Sequence, residues 1–168
     1  IIDAIIGLLI VSRWRRFSAL AMLDLGCFGM LIGQFVGRWG NFINREAYGA
    51  ETEIFCRMGL TDPVTGNTIY VHPTFLYESL WNIGVFIALI LLRKSGKFKN
   101  GIFAWYLILY GLGRTWIEGM RIDSLYLFGS GIRVSQALSM LMVIAGAALL
   151  VYFKRKERSQ SEKADRTV

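Results

Sequence analysis

Histidine, cysteine and proline are scarce: the chain holds one, two and two of them in 168 residues. A single histidine cannot furnish a His-rich metal site, so no metal centre and no cofactor are expected. The two cysteines, Cys27 and Cys56, stand 29 positions apart with no Cys-x-x-Cys partner, which implies no disulfide framework. Cys27 sits in an apolar stretch, where cysteine acts as a small hydrophobe. Also missing are an initiator methionine and the basic region and small-residue cleavage site of a signal peptide. The chain therefore reads as a piece whose amino-terminal part precedes Ile1. Internal repeats are absent, and no polar stretch is large enough for a soluble second domain.

What the chain has in abundance is apolar residues, 54% of the total, gathered in long blocks between short charged strips. A bilayer core of roughly 30 Å takes about 20 mostly apolar helical residues to cross. Five helical spans follow from the blocks: 1–12, 20–37, 79–92, 101–118 and 134–153. The fold expected is an all-α, polytopic membrane bundle. Residues 1–153 are expected to form one transmembrane domain, and 154–168 a basic, frayed cytoplasmic tail.

The charges agree on a single topology. Arg13, Arg15 and Arg16 follow the first span; Arg93, Lys94, Lys97 and Lys99 separate the third from the fourth; Lys154, Arg155, Lys156, Arg158, Lys163 and Arg166 follow the fifth. Together these are 13 of the 19 basic residues, all on alternate connections. Basic loops stay cytoplasmic, so residues 38–78 and 119–133 face outward. The net charge of +7 is then a set of juxtamembrane anchors for anionic lipid, not a nucleic-acid footprint. Within the outer segment, Gly59, Asp62-Pro63 and Gly66-Asn67 mark a short hairpin or an irregular loop.

Three clusters carry chemistry. Gly29, Gly33 and Gly37 recur every four residues in the second span, a stripe suited to close helix packing, with room for a lipid chain as the alternative. Arg38 follows at the membrane end of that span. Its guanidinium fork matches phosphate oxygens, Asn41 and Asn44 add donors, and Gly40 and Gly49 allow tight turns near a ligand. The bland alternative for Arg38 is an interfacial arginine snorkelling to headgroups. In the fourth span Tyr106, Tyr110, Arg114 and Glu118 are spaced by four and Arg121 follows, so all lie along one helix face. Charges at that depth cost on the order of 3 kcal/mol unless paired, and Arg114 can pair with Glu118. His72, just before Pro73, is expected to fix the entrance of the third span, and Tyr77 and Glu78 to make interfacial hydrogen bonds.

The run Gly37-Arg38-Trp39-Gly40-Asn41-Phe42-Ile43-Asn44-Arg45-Glu46-Ala47-Tyr48-Gly49 resembles the signature of the prolipoprotein diacylglyceryl transferase family. His72-Pro73-Thr74-Phe75-Leu76-Tyr77-Glu78 and the stretch from Tyr110 through Arg114 and Glu118 to Arg121 are similar to two further blocks of that family. The resemblance implies an enzyme of the bacterial inner membrane with its site toward the outer leaflet. Its substrates would be phosphatidylglycerol and the lipobox cysteine of a prolipoprotein, joined as a thioether with release of glycerol phosphate. It implies that Arg38 and Arg114 are essential, with Asn41, Glu46, Gly49, Tyr110 and Glu118 around the headgroup. The family's His-Gly-Gly block and amino-terminal tyrosine have no counterpart in this sequence, and His72 does not match that histidine. In the expected mechanism Glu118 orients Arg114 instead of serving as base. A competing reading makes the Arg/Glu stripe the lining of an anion transporter or channel.

Overall fold

A computed structural model of the chain describes residues 7, 10–14, 18–96, 101–122 and 133–165. The first expected span falls mostly outside these residues, as does the outer connection beyond Ile122.

Helix α1 (Ala19–Asn44) starts where the Ser18 side chain accepts the Ala21 N–H at 3.4 Å. It ends where Arg45 takes a left-handed φ of 57° and the Arg45 and Glu46 N–H groups fold back onto the Phe42 and Asn41 carbonyls at 3.2 and 3.0 Å. The helix therefore continues well past Gly37, and Gly40, expected at a turn, lies in helical backbone. A polar run looks like a loop in sequence, but at a helix end outside the apolar layer it keeps its helical hydrogen bonds.

Strands β1 (Met58–Thr61) and β2 (Thr68–Val71) pair antiparallel, Met58 opposite Val71 and Thr61 opposite Thr68. They realise the hairpin option for the outer segment. Asp62 builds the turn, accepting the Val64 N–H at 2.8 Å and the Thr65 hydroxyl at 2.7 Å, and Gly66 supplies a φ of 72°. These bonds hold the exposed Asp62 carboxyl below its ordinary range.

Helices α2 (Thr74–Lys94), α3 (Ile102–Glu118) and α4 (Val134–Asp165) complete the chain, with α1 against α2 and α3 against α4 as the largest interfaces. Cys27, Leu31, Val85, Leu89, Ile102 and Tyr106 form the core. Cys27 is fully buried, as its apolar setting predicts. The stretch expected as a frayed basic tail continues α4 to Asp165.

Glycine packing lies elsewhere than expected. A Cβ built at Gly29, Gly33 or Gly37 meets nothing within 4 Å, so that stripe is open among the described residues. Close packing is instead made by Gly111, where a Cβ would come 2.8 Å from the Ser139 carbonyl, and by Gly146, where it would come 2.7 Å from that of Ala104. Small residues at these points let the α3 and α4 backbones approach.

Helices α1, α2 and the Val134–Gln160 part of α4 are long and apolar enough to cross a membrane. Helix α3, with 17 residues, reaches about 25 Å and is shorter than a full span. Large apolar side chains such as Leu25, Ile32, Val36, Leu91, Leu141 and Ile144 are exposed on the outer faces of the helices. In water that would be costly, whereas lipid accepts it.

Candidate functional site

Two ends of the bundle are fixed differently. At the end holding the α3 amino terminus, the Asp24 carboxylate of α1 accepts the Gly101 and Phe103 N–H groups at 3.3 and 2.7 Å, a cap supplied across the sequence. At the opposite end, Trp39 and Phe42 of α1 close on Phe75 of α2 at ring-centroid distances of 5.5 and 4.7 Å. This aromatic staple places Arg38 beside the first turns of α2.

Glu78 is the hub there. Its Oε2 forms an ion pair with Arg38 Nε and its Oε1 accepts from Arg114 NH1, so α1, α2 and α3 meet at one carboxylate. Arg114 also forms an ion pair through NH2 with Glu118 Oε2 at 2.8 Å, and Arg121 NH1 stands 3.8 Å from the same oxygen. Both carboxylates are buried, Glu78 at 5% and Glu118 at 2% exposure. Buried charge is tolerable only when paired, and here each glutamate faces two guanidiniums. Three arginines against two glutamates leave the cluster with one positive charge.

The arginine side chains are not sealed in, since Arg38 and Arg114 keep 20% and 15% exposure. Only Nε of Arg38 is engaged with a described residue, so its terminal nitrogens still carry four N–H donors. The cluster can therefore take an anion at its rim.

The backbone around the cluster is tightly drawn. Gly49 forms a bridge with Arg121 and donates its N–H to the His72 carbonyl at 3.0 Å. A Cβ on Gly49 would come within 2.8 Å of His72 Cβ and 3.0 Å of the Met120 carbonyl, so only glycine fits. The Thr74 hydroxyl donates to the Ala47 carbonyl, and Ala47 itself has a φ of 57°. His72 Nδ1 and the Tyr77 hydroxyl are 3.1 Å apart, which places the histidine at the entrance of α2.

Of the residues expected at the site, Arg38, Arg114, Glu118 and Arg121 come together as side chains, and Gly49 through its backbone. Tyr110 lies one turn before Arg114 and stacks on Tyr106 at 5.5 Å and 15°. Asn41 contributes its carbonyl to the end of α1. Asn44 and Glu46 are exposed and bond to each other at 3.3 Å, with no bond to the arginine cluster among the described residues. Glu78, expected only to make interfacial hydrogen bonds, is the centre of the cluster; its signal in the sequence is an acid directly before the apolar block 79–92. No group of three or more His, Cys, Asp or Glu among the described residues is arranged to hold a metal ion.

The family model described as prolipoprotein diacylglyceryl transferase matches residues 1–152. Three curated relatives carry the name phosphatidylglycerol–prolipoprotein diacylglyceryl transferase. That of Shouchella clausii is 42% identical over 90% of this chain and 57% of its own length. That of Clostridioides difficile is 39% identical over 95% of this chain and 61% of its own length. That of Finegoldia magna is 41% identical over 97% of this chain and 63% of its own length. The chain thus spans about three fifths of the relatives it matches. Nearly all of it is matched, including every residue of the arginine–glutamate cluster, and the chain belongs to the prolipoprotein diacylglyceryl transferase family.

Proposed function

We propose that this chain carries the phosphate-binding core of a phosphatidylglycerol–prolipoprotein diacylglyceryl transferase. The single observation that supports it most is the convergence of Arg38 and Arg114, from two helices, on Glu78 with one net positive charge. A phosphodiester brings one negative charge and oxygens that match a guanidinium fork.

In the proposed reaction a lipobox cysteine thiolate attacks the glyceryl carbon that bears the phosphate. The C–S bond forms, the C–O bond breaks, and the electron pair leaves with glycerol phosphate. The thiol proton passes to water. A free thiol has a pKa near 8.5, so a small fraction is thiolate at neutral pH. The arginines act on the leaving group, where negative charge grows. A unit pair at about 4 Å is worth up to roughly 4 kcal/mol at an effective dielectric of 20. Glu78 and Glu118 are each committed to two arginines, which suits them to hold the guanidiniums in place rather than to collect a proton. Asn41, Asn44, Glu46, Gly49, Tyr110 and Arg121 shape the surroundings of the headgroup.

The five-span count belongs to this proposal, with α3 crossing beside its longer neighbours. So do residues 1–153 as one catalytic domain, 154–168 as a cytoplasmic extension, and the inner membrane with the site at the outer leaflet. The support is that Arg93, Lys94 and the basic end of α4 lie at the bundle end away from the cluster. The test is transfer of labelled diacylglycerol from phosphatidylglycerol vesicles to a lipobox peptide by the purified protein. Arg38→Lys should lose most of that activity, because an ammonium has no fork; full transfer in this variant removes the phosphate argument.

A further inference from the structure

Below the arginine level, the same two helix faces carry a second polar level. Gln34 precedes Arg38 by four residues on α1, and Tyr110 and Tyr106 precede Arg114 by four and eight on α3. At a rise of about 1.5 Å per residue, Gln34 and Tyr110 lie roughly 6 Å, and Tyr106 roughly 12 Å, along their helices from the Cα atoms of Arg38 and Arg114. Gln34 Nε2 and the Tyr106 hydroxyl are 2.9 Å apart, and the Tyr106 ring stacks on Tyr110. The helices therefore touch through polar groups, and α2 adds the buried Ser79, whose hydroxyl donates to the Phe35 carbonyl at 3.4 Å.

This pair has unspent hydrogen-bonding capacity. Gln34 Oε1 is buried with no partner among the described residues. With the Gln34 amide donating to Tyr106, the phenolic proton still has to be donated. With the amide turned over, Tyr106 donates to Oε1 and the amide N–H groups remain. In either arrangement a donor hydrogen is left without an acceptor among the described residues, and a buried donor without an acceptor is costly. Alongside, Gly33 and Gly37 leave the neighbouring strip of α1 without side chains, open beyond 4 Å.

We propose that Gln34 and Tyr106 recognise an ester carbonyl of a diacyl glycerolipid whose phosphate sits at Arg38 and Arg114. This rests on the proposed function. A glycerolipid carries its ester carbonyls a few bonds below the phosphate, so a donor beneath a cationic level matches its order of groups. A carbonyl is also a neutral acceptor, which an apolar layer admits more readily than a second charge.

The experiment compares diester phosphatidylglycerol with its dialkyl ether analogue, which keeps the phosphate and chains but lacks both carbonyls. Binding of each lipid to the purified protein is measured by native mass spectrometry, and transfer to a lipobox peptide by the KM for each lipid. A lost hydrogen bond corresponds to about a five- to tenfold weaker interaction, so the diester should be preferred by about that factor. Tyr106→Phe and Gln34→Met should each bring the diester-to-diether ratio close to one in both measurements. Equal use of the two lipids by the unaltered protein overturns the proposal, and so do variants that weaken both lipids equally. Absence of transfer from either lipid, with the diester still bound preferentially, sinks the transferase reading and leaves ester recognition standing.

Discussion

The Trp81 indole occupies the space that a side chain at position 113 would need. A Cβ on Gly113 would overlap the ring itself, and the indole N–H donates to the Leu109 carbonyl at 3.0 Å. Trp81 lies three residues after Glu78 on α2, and Gly113 adjoins Arg114 on α3. The fit of ring into glycine thus sets how α2 and α3 align at the level where the Glu78–Arg114 pair forms. Gly113→Ala should push Trp81 out and shift the two helices, at an overpacking cost of about 1–3 kcal/mol. The expected result is a lower Tm in detergent together with weakened lipid transfer, and a blue- or red-shifted Trp81 emission. An unchanged melting curve would show that the indole has somewhere else to go.

Glu78 holds both arginines because it has two equivalent oxygens. Gln keeps one oxygen and replaces the other by an amide donor, which a guanidinium rejects. Loss of one charge-assisted hydrogen bond is worth about 1.5–3 kcal/mol, so Glu78→Gln should lower transfer roughly tenfold to a hundredfold. Glu78→Ala should do more, since it leaves two arginines without their shared partner. Retention of full turnover by the glutamine variant would mean that Arg38 and Arg114 are positioned by something else.

The helices were legible because long apolar blocks and basic strips are local properties of the chain. Arg114 and Glu118 stand out in the sequence as charges placed where charge is expensive, and the structure sets Arg38 and Arg121 beside them. Glu78 reads in the sequence only as an interfacial residue, since its two partners on α1 and α3 lie 40 and 36 positions away. Local spacing carries no record of which helix faces meet. The same reason explains the glycines. Gly29, Gly33 and Gly37 have the spacing of a packing stripe and lie open, whereas Gly111 and Gly146 make the close crossing of α3 and α4. Spacing offers a smooth face, and the partner helix decides whether it is used. The end of α1 shows a third limit: polar residues suggest that a helix has left the membrane, and it can do so without ceasing to be a helix.

The hairpin turn is pH-sensitive in a defined direction. The Val64 N–H and Thr65 hydroxyl hold the Asp62 carboxyl below its ordinary range. A group depressed in the folded state stabilises that state above its unfolded pKa, and the contribution fades as pH falls through the folded value. The turn should therefore stay ordered at neutral pH and loosen only in acid, below the usual aspartate range. Hydrogen exchange of the Val64 and Gly66 amides across an acid titration reads this directly. Asp62→Asn should remove the acid-dependent change, and an undiminished change in that variant would place its origin in another group.

At the far end of the bundle, Asp24 does for α3 what a local capping residue does for most helices. Gly101 has no side chain to offer, so the first N–H groups of α3 depend on a carboxylate from α1. An acid at a helix amino terminus is also favoured by the helix dipole. Asp24→Ala removes both acceptor oxygens, and cap removals cost about 0.5–2 kcal/mol. The cost should be felt first where the cap acts, so backbone amides at Gly101 and Phe103 should lose exchange protection before those near Glu78. Asp24→Asn keeps one acceptor oxygen and should fall between the two. If protection at Gly101 and Phe103 is the same in Asp24→Ala as in the unaltered protein, α3 is anchored at that end by its packing on α4 and not by the carboxylate.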